Sequence, residues 1–196
     1  MNAKYLDLHV IQTVPPSCIN RDDTGSPKMA IYGGVPRARV SSQAWKHAMR
    51  GMFSELFSKE QVGVRTKRVL EMIIGELKKL EYQGNMEKAA MDGLKKCGFN
   101  FKKDALLDTL FFMSYAQAKK IAELIAAGEE DKGLYKNALK EMPAIDMALF
   151  GRMVASDPSL NYDAAAQVAH SISTHEVRNE YDYFTAVDDL APEDNA

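Results

Sequence analysis

The sequence predicts an α+β fold with far more helix than strand, and three observations carry that expectation. Residues Tyr5 to Gln12 alternate apolar and polar side chains at the two-residue period of a strand packed on one face. Most later segments repeat apolar residues at three and four, the period of helices that bury one face. The chain has 196 residues, of which 46% are hydrophobic and 27% charged, which is enough for a sizeable core in one or two compact units and excludes a globally disordered chain.

In the first element Leu6, Leu8 and Val10 alternate with Asp7 and His9, and Pro15 and Pro16 end it. Ser17 to Arg39 is crowded with Asn20, Asp22, Asp23, Gly25, Pro27, Gly33, Gly34 and Pro36, so it reads as an irregular loop whose length suggests a function. Ser41 and Ser42 are N-cap residues for a helix to about Phe57 that buries Trp45, Met49, Met52, Phe53 and Leu56 on one face. Helices follow over Thr66 to Leu80, Met86 to Cys97 with Gly98 as the stop, Ser114 to Ala127 ending at Gly128, and Lys132 to Met142 before Pro143. Ile145 to Ala155, interrupted by Gly151 and Arg152, fits a bulged strand, and Asp163 to Thr174 fits a last helix with Ala and Val on one face.

The overall charge of −2 conceals an asymmetry. From Ser17 to Arg50 there are six basic residues against two acids, whereas Glu176 to Ala196 holds seven acids against Arg178 alone. A basic segment within an otherwise acidic chain suits a locally aimed phosphate or nucleic-acid site, and an acidic block suits a solvated, flexible end. No apolar run approaches the length of a membrane span, and Met1 to His9 lacks the apolar core of a secretion signal. Cys18 and Cys97 are far apart and form no Cys-x-x-Cys pair, which fits a reduced, cytoplasmic setting without disulfides or zinc.

On the Ser41 helix the three-and-four spacing puts Gln43, Lys46, His47 and Arg50 on one face as a polar, basic stripe. The helix start points its free N–H groups toward the segment holding Arg37 and Arg39, a geometry open to a phosphate backbone. A stripe of this kind also occurs on helices that simply face water. Asp22 and Asp23 are the residue types of a metal-dependent nuclease, and equally of a turn in which Asp bonds nearby backbone N–H groups. His9 is as compatible with a solvent-facing imidazole as with a general base, and His170 and His175 are spaced wrongly for a helical ligand pair, so no metal is expected. The chain has no Gly-rich phosphate loop of the nucleotide-hydrolase or dinucleotide type and no nucleophile elbow, and no cofactor is expected.

The strings LHVIQTVPPSCINRDDTGSPKMAIYGG, PRARVSSQAWKHAMR, DMALFGRMVAS, AAAQVAHSISTHEV and DYFTAVDDL, in this order and spacing, resemble the CasC-type crRNA-binding backbone subunits of type I-E CRISPR Cascade, a family of the RAMP superfamily. The likeness is dense over residues 5 to 50 and 144 to 190. It implies an RRM-like (ferredoxin-like) palm, partial in this chain, with a large helical finger insertion. On that comparison residues 1–58 are the N-terminal part of the palm, 59–143 the fingers, 144–180 the return segment and 181–196 the start of an acidic thumb, with the C-terminal palm strands absent. The first strand would then lack most of its sheet neighbours.

The resemblance implies a binding protein with no catalytic residue and no cofactor. Arg21, Lys28, Arg39, Ser41, Gln43, Lys46 and Arg50 match positions where the family's palm meets the crRNA backbone, with Asn20, Arg37, His47 and Arg152 as further candidate contacts. His47 stands where the family often has arginine, so that contact would depend on pH. Met153 matches an apolar wedge against guide bases, and Phe184 the start of the thumb that folds over a displaced nucleotide. The implied partners are crRNA, target DNA through the guide duplex, other Cascade subunits, and further copies of the chain along the guide, with no membrane. The competing expectations are an RNA endonuclease of the type III backbone kind using Asp22 or Asp23, and a helical module that assembles on proteins without RNA.

Overall fold

A computed structural model describes residues 4–101 and 105–181. The fold is α+β and mostly helical: β1 (Met29–Tyr32), β2 (Val35–Val40), α1 (Ser42–Leu56), β3 (Val64–Thr66), α2 (Val69–Lys79), α3 (Met86–Lys96), β4 (Phe111–Met113), α4 (Tyr115–Ala126), α5 (Lys132–Ala138), α6 (Ile145–Phe150) and β5 (Ser171–Ile172). β1, β2 and β5 form an antiparallel three-stranded sheet in that order, and β3 pairs antiparallel with β4. The chain divides into two compact units, Met1–Ala44 with Ala169–Ala196, and Trp45–Val168. Among the described residues no helix is long and apolar enough to cross a membrane.

The hydrophobic core lies in the second unit. Val69, Ile73 and Leu77 of α2, Ala90 and Leu94 of α3, and Ala118, Ile121 and Ala122 of α4 are fully buried, with Phe111 and Met113 of β4 and Tyr135 and Leu139 around them. α3 can approach α4 closely because Gly93 has no side chain: a Cβ there would lie 2.6 Å from the Ile125 Cδ1 atom. α4 begins with a reciprocal cap. The Ser114 hydroxyl accepts from Gln117 N–H while the Gln117 side chain accepts from Ser114 N–H. Gln117, fully buried, donates onward to the carbonyls of Leu139 and Glu141.

Several elements differ from the sequence expectation. Tyr5 to Gln12 forms no strand; Tyr5, Leu6, Leu8, Val10 and Ile11 are all more than 80% exposed. Alternation states which face a strand would bury, but a ladder forms only where a neighbour supplies the other half of its hydrogen bonds. The Ser17 to Arg39 loop contains the β1–β2 hairpin, turned by Gly33 and Gly34, which both have positive φ (65° and 80°) as a two-residue hairpin turn demands. Thr66, read as the start of a helix, is instead the last residue of strand β3, and α2 begins only at Val69.

The Ser41 helix forms but has no buried residue; Met52 and Leu56 are exposed. Ile145 to Ala155 is not a bulged strand: Ile145–Phe150 is helix α6, ended at Gly151 with φ +77°, and beyond it Arg152 forms a single bridge with Tyr162. Asp163 to Thr174 is not helical either. Tertiary pairing overrides the alanine-rich propensity there, since Ala165 and Ala166 donate to the carbonyls of Ala148 and Leu149 in the second unit. Ser171 and Ile172 instead pair with Val40 and Arg39 in the first.

Candidate nucleic-acid interface

In the first unit, backbone bonds and the Asn20 side chain gather four of the candidate residues. Asn20 is the hub: its carbonyl accepts from Lys28 N–H (2.8 Å) and its side-chain Oδ1 from Ser41 N–H (3.0 Å), while the Lys28 carbonyl in turn accepts from Arg39 N–H (2.9 Å). Ser41 is buried and its hydroxyl accepts from Ala44 N–H, capping α1. Lys28 and Arg39 thus stand on neighbouring stretches of backbone beside the start of a helix. The Arg39 Nε–H is buried with no hydrogen-bond partner among the described residues, which leaves a charged donor for an anion to satisfy. Arg21 is exposed and spends one guanidinium N–H on the Gly25 carbonyl (2.8 Å), at the neck of the turn that includes Asp22.

Arg37 is placed differently. It donates to the carbonyls of Tyr32 and Ser173 and lies over the Tyr32 ring, so it staples the hairpin to the segment after β5. Asp22 is a turn former here: its Oδ1 accepts from Thr24 N–H, the Thr24 hydroxyl and Ser26 N–H. These hydrogen bonds, the Thr24 hydroxyl first, hold its carboxyl below the ordinary carboxylate value.

On α1, Gln43 and His47 are exposed and Lys46 lies over the Phe150 ring at 5.7 Å. Arg50 is drawn into the protein. Its Nε–H donates to the Asp146 carboxylate (2.8 Å), its guanidinium lies 4.6 Å from the Phe112 ring centroid, and Asp146, fully buried, also accepts from Gly63 N–H. The side chain of Arg50 keeps about a quarter of its surface exposed. The four-residue stripe therefore exposes Gln43 and His47, rests Lys46 against an aromatic ring and holds Arg50 in an ion pair. Sequence spacing carried no sign of that pair, because Asp146 is distant along the chain.

Arg152 is buried and turned inward. It donates to the carbonyls of Leu160, Phe112 and Leu139 and lies between the rings of Phe111 and Tyr162, a position at odds with a phosphate contact. Burial pushes its guanidinium down to about 10, still protonated at neutral pH. Met153, the next residue, is 85% exposed. Phe184 lies outside the described residues. Among the described residues no cluster of His, Cys, Asp and Glu has the makings of a metal site.

A family model described as CT1975-like protein matches residues 6–196. Two solved structures resemble the chain at 30% identity. One, described as a CRISPR RNA-guided surveillance complex in a pre-nicking state, aligns with a TM-score of 0.68 over 91% of this chain and 55% of the other. The second, a CRISPR RNA-guided surveillance complex, aligns with a TM-score of 0.59 over 84% of this chain and 57% of the other. This chain thus spans little more than half the length of the solved chains it matches. No curated protein matches. A match over nearly the whole sequence, supported by structural likeness to subunits of RNA-guided complexes, places the chain in the CT1975-like protein family of Cas proteins.

Proposed function

We propose that the protein is a crRNA-binding backbone subunit of a type I-E Cascade, assembling in copies along the guide and supporting guide-directed DNA binding, with no catalytic role of its own. The observation that carries this reading is the Asn20-centred network, which sets Lys28 and Arg39 beside the capped start of α1. Cations at a helix N-terminus bind phosphate through charge and free N–H groups together, and they read no bases. A protein that must accept any spacer needs that indifference. Of the two aspartates in the endonuclease reading, Asp22 has its Oδ1 committed to the turn.

The test is binding of the full chain to labelled crRNAs of unrelated sequence across a salt series. Lys28→Ala with Arg39→Ala should weaken all guides about equally and flatten the log–log salt slope by about 0.7 for each phosphate that is no longer neutralised. Weakening confined to one guide sequence, or RNA cleavage abolished by Asp22→Ala with Asp23→Ala, would overturn the proposal.

A further inference from the structure

We infer that Arg152 is a positioning residue for Met153: it clamps the turn that holds the methionine side chain out in solvent, and it makes no contact with RNA itself. The inference rests on the proposed RNA-binding function for what Met153 meets, and on the structure alone for the clamp. All five guanidinium N–H groups have an acceptor within the protein. Nε donates to Leu160 O (3.0 Å), Nη2 to Leu160 O and Leu139 O (2.8 Å each), and Nη1 to Phe112 O (3.1 Å) and Gln117 Oε1 (3.5 Å). Both ring contacts, Phe111 and Tyr162, lie 4.9 Å from its carbon centre. A side chain so saturated has no donor left for a phosphate, and it joins β4, α4, the end of α5 and the turn at Leu160 around one point.

The backbone on either side of Met153 is tied to the same place. Arg152 and Tyr162 exchange both main-chain bonds (3.1 and 2.9 Å), and Val154 N–H donates to Asn161 Oδ1 at 2.7 Å. Gly151 precedes them in a conformation that disfavours a side chain, and a Cβ there would stand 2.8 Å from Tyr162 O. Met153 is thereby an 85% exposed, flexible apolar side chain on a rigid base. Holding the base fixed lowers the ordering cost of inserting such a side chain between bases, where apolar contact is sequence-tolerant.

The test uses the full chain in two readouts. By hydrogen exchange, Arg152→Gln should speed the Val154 and Tyr162 amides by about tenfold or more while α2 and α4 stay protected. Asn161→Ala, which touches only the exposed side of the turn, should do the same at Val154 and serves if the first variant fails to fold. With single-stranded RNA carrying 2-aminopurine at successive positions, the fluorescence gained at the base meeting Met153 should fall in Met153→Ala and in Arg152→Gln, with no further fall in the double variant and an unchanged salt slope. Arg152→Lys should fail to rescue, because one ammonium cannot replace a five-donor fork. Unchanged amide exchange in both variants would overturn the inference, as would a salt slope that drops in Arg152→Gln and recovers in Arg152→Lys. If the parent chain gives no RNA signal, the proposed function falls while the exchange readout still decides the clamp.

Discussion

Cys97 and Cys18 show how far environment separates two identical side chains. Burial pushes the Cys97 thiol up to about 12, whereas Cys18 is exposed. Thiolate is the reactive form, so iodoacetamide at neutral pH should label one equivalent in the native protein and two in urea. The same contrast governs the basic residues. That Lys28, Arg39 and Lys46 were candidates was legible from local charge alone, because composition reports where cations cluster. That Arg37, Arg50 and Arg152 are partly or wholly engaged inside was not, because each partner is either a backbone carbonyl or an acid far along the chain. Asp146 is the fully buried partner of a part-exposed Arg50 and also holds the Gly63 amide, so Asp146→Ala, which takes that acceptor from both, should destabilise the protein by about 1–3 kcal/mol in a denaturant titration.

At the level of elements, helices with a stop were readable: α3 before Gly98 and α4 before Gly128, both glycines at positive φ, to which the structure adds Asn85 and Ser114 as the caps. Short strands were not, since three residues of β3 or β4 carry too little periodicity to compete with a neighbouring helical pattern. The alanine-rich stretch at 163–174 failed for the opposite reason, as good helix formers yielded to hydrogen bonds from elsewhere. Two substitutions probe the helices directly. Ser114→Ala removes a cap and a bond to the Met142 carbonyl, and should cost about 1–2 kcal/mol in chemical unfolding. Gly93→Ala forces its methyl onto Ile125 and should cost about 1–3 kcal/mol, recoverable in part by Ile125→Val, which makes room.

For the whole molecule, the exposed apolar side chains of Tyr5 to Ile11 are a liability of the isolated chain. Unpaired backbone beside alternating apolar groups is a template for pairing with another strand, so Leu8→Lys with Val10→Lys should reduce concentration-dependent association in light scattering without altering the circular dichroism of the helices. A second consequence follows from where the core lies. Every residue of the main hydrophobic cluster falls between Val69 and Leu160, inside the Trp45–Val168 unit, while the Asn20 network belongs to the other unit. Heat capacity and cooperativity scale with buried apolar surface, so calorimetry weighs the two units very unequally. A calorimeter will record the helical unit and pass over the basic loop, and a variant stripped of its grip on RNA can melt at the parent's temperature.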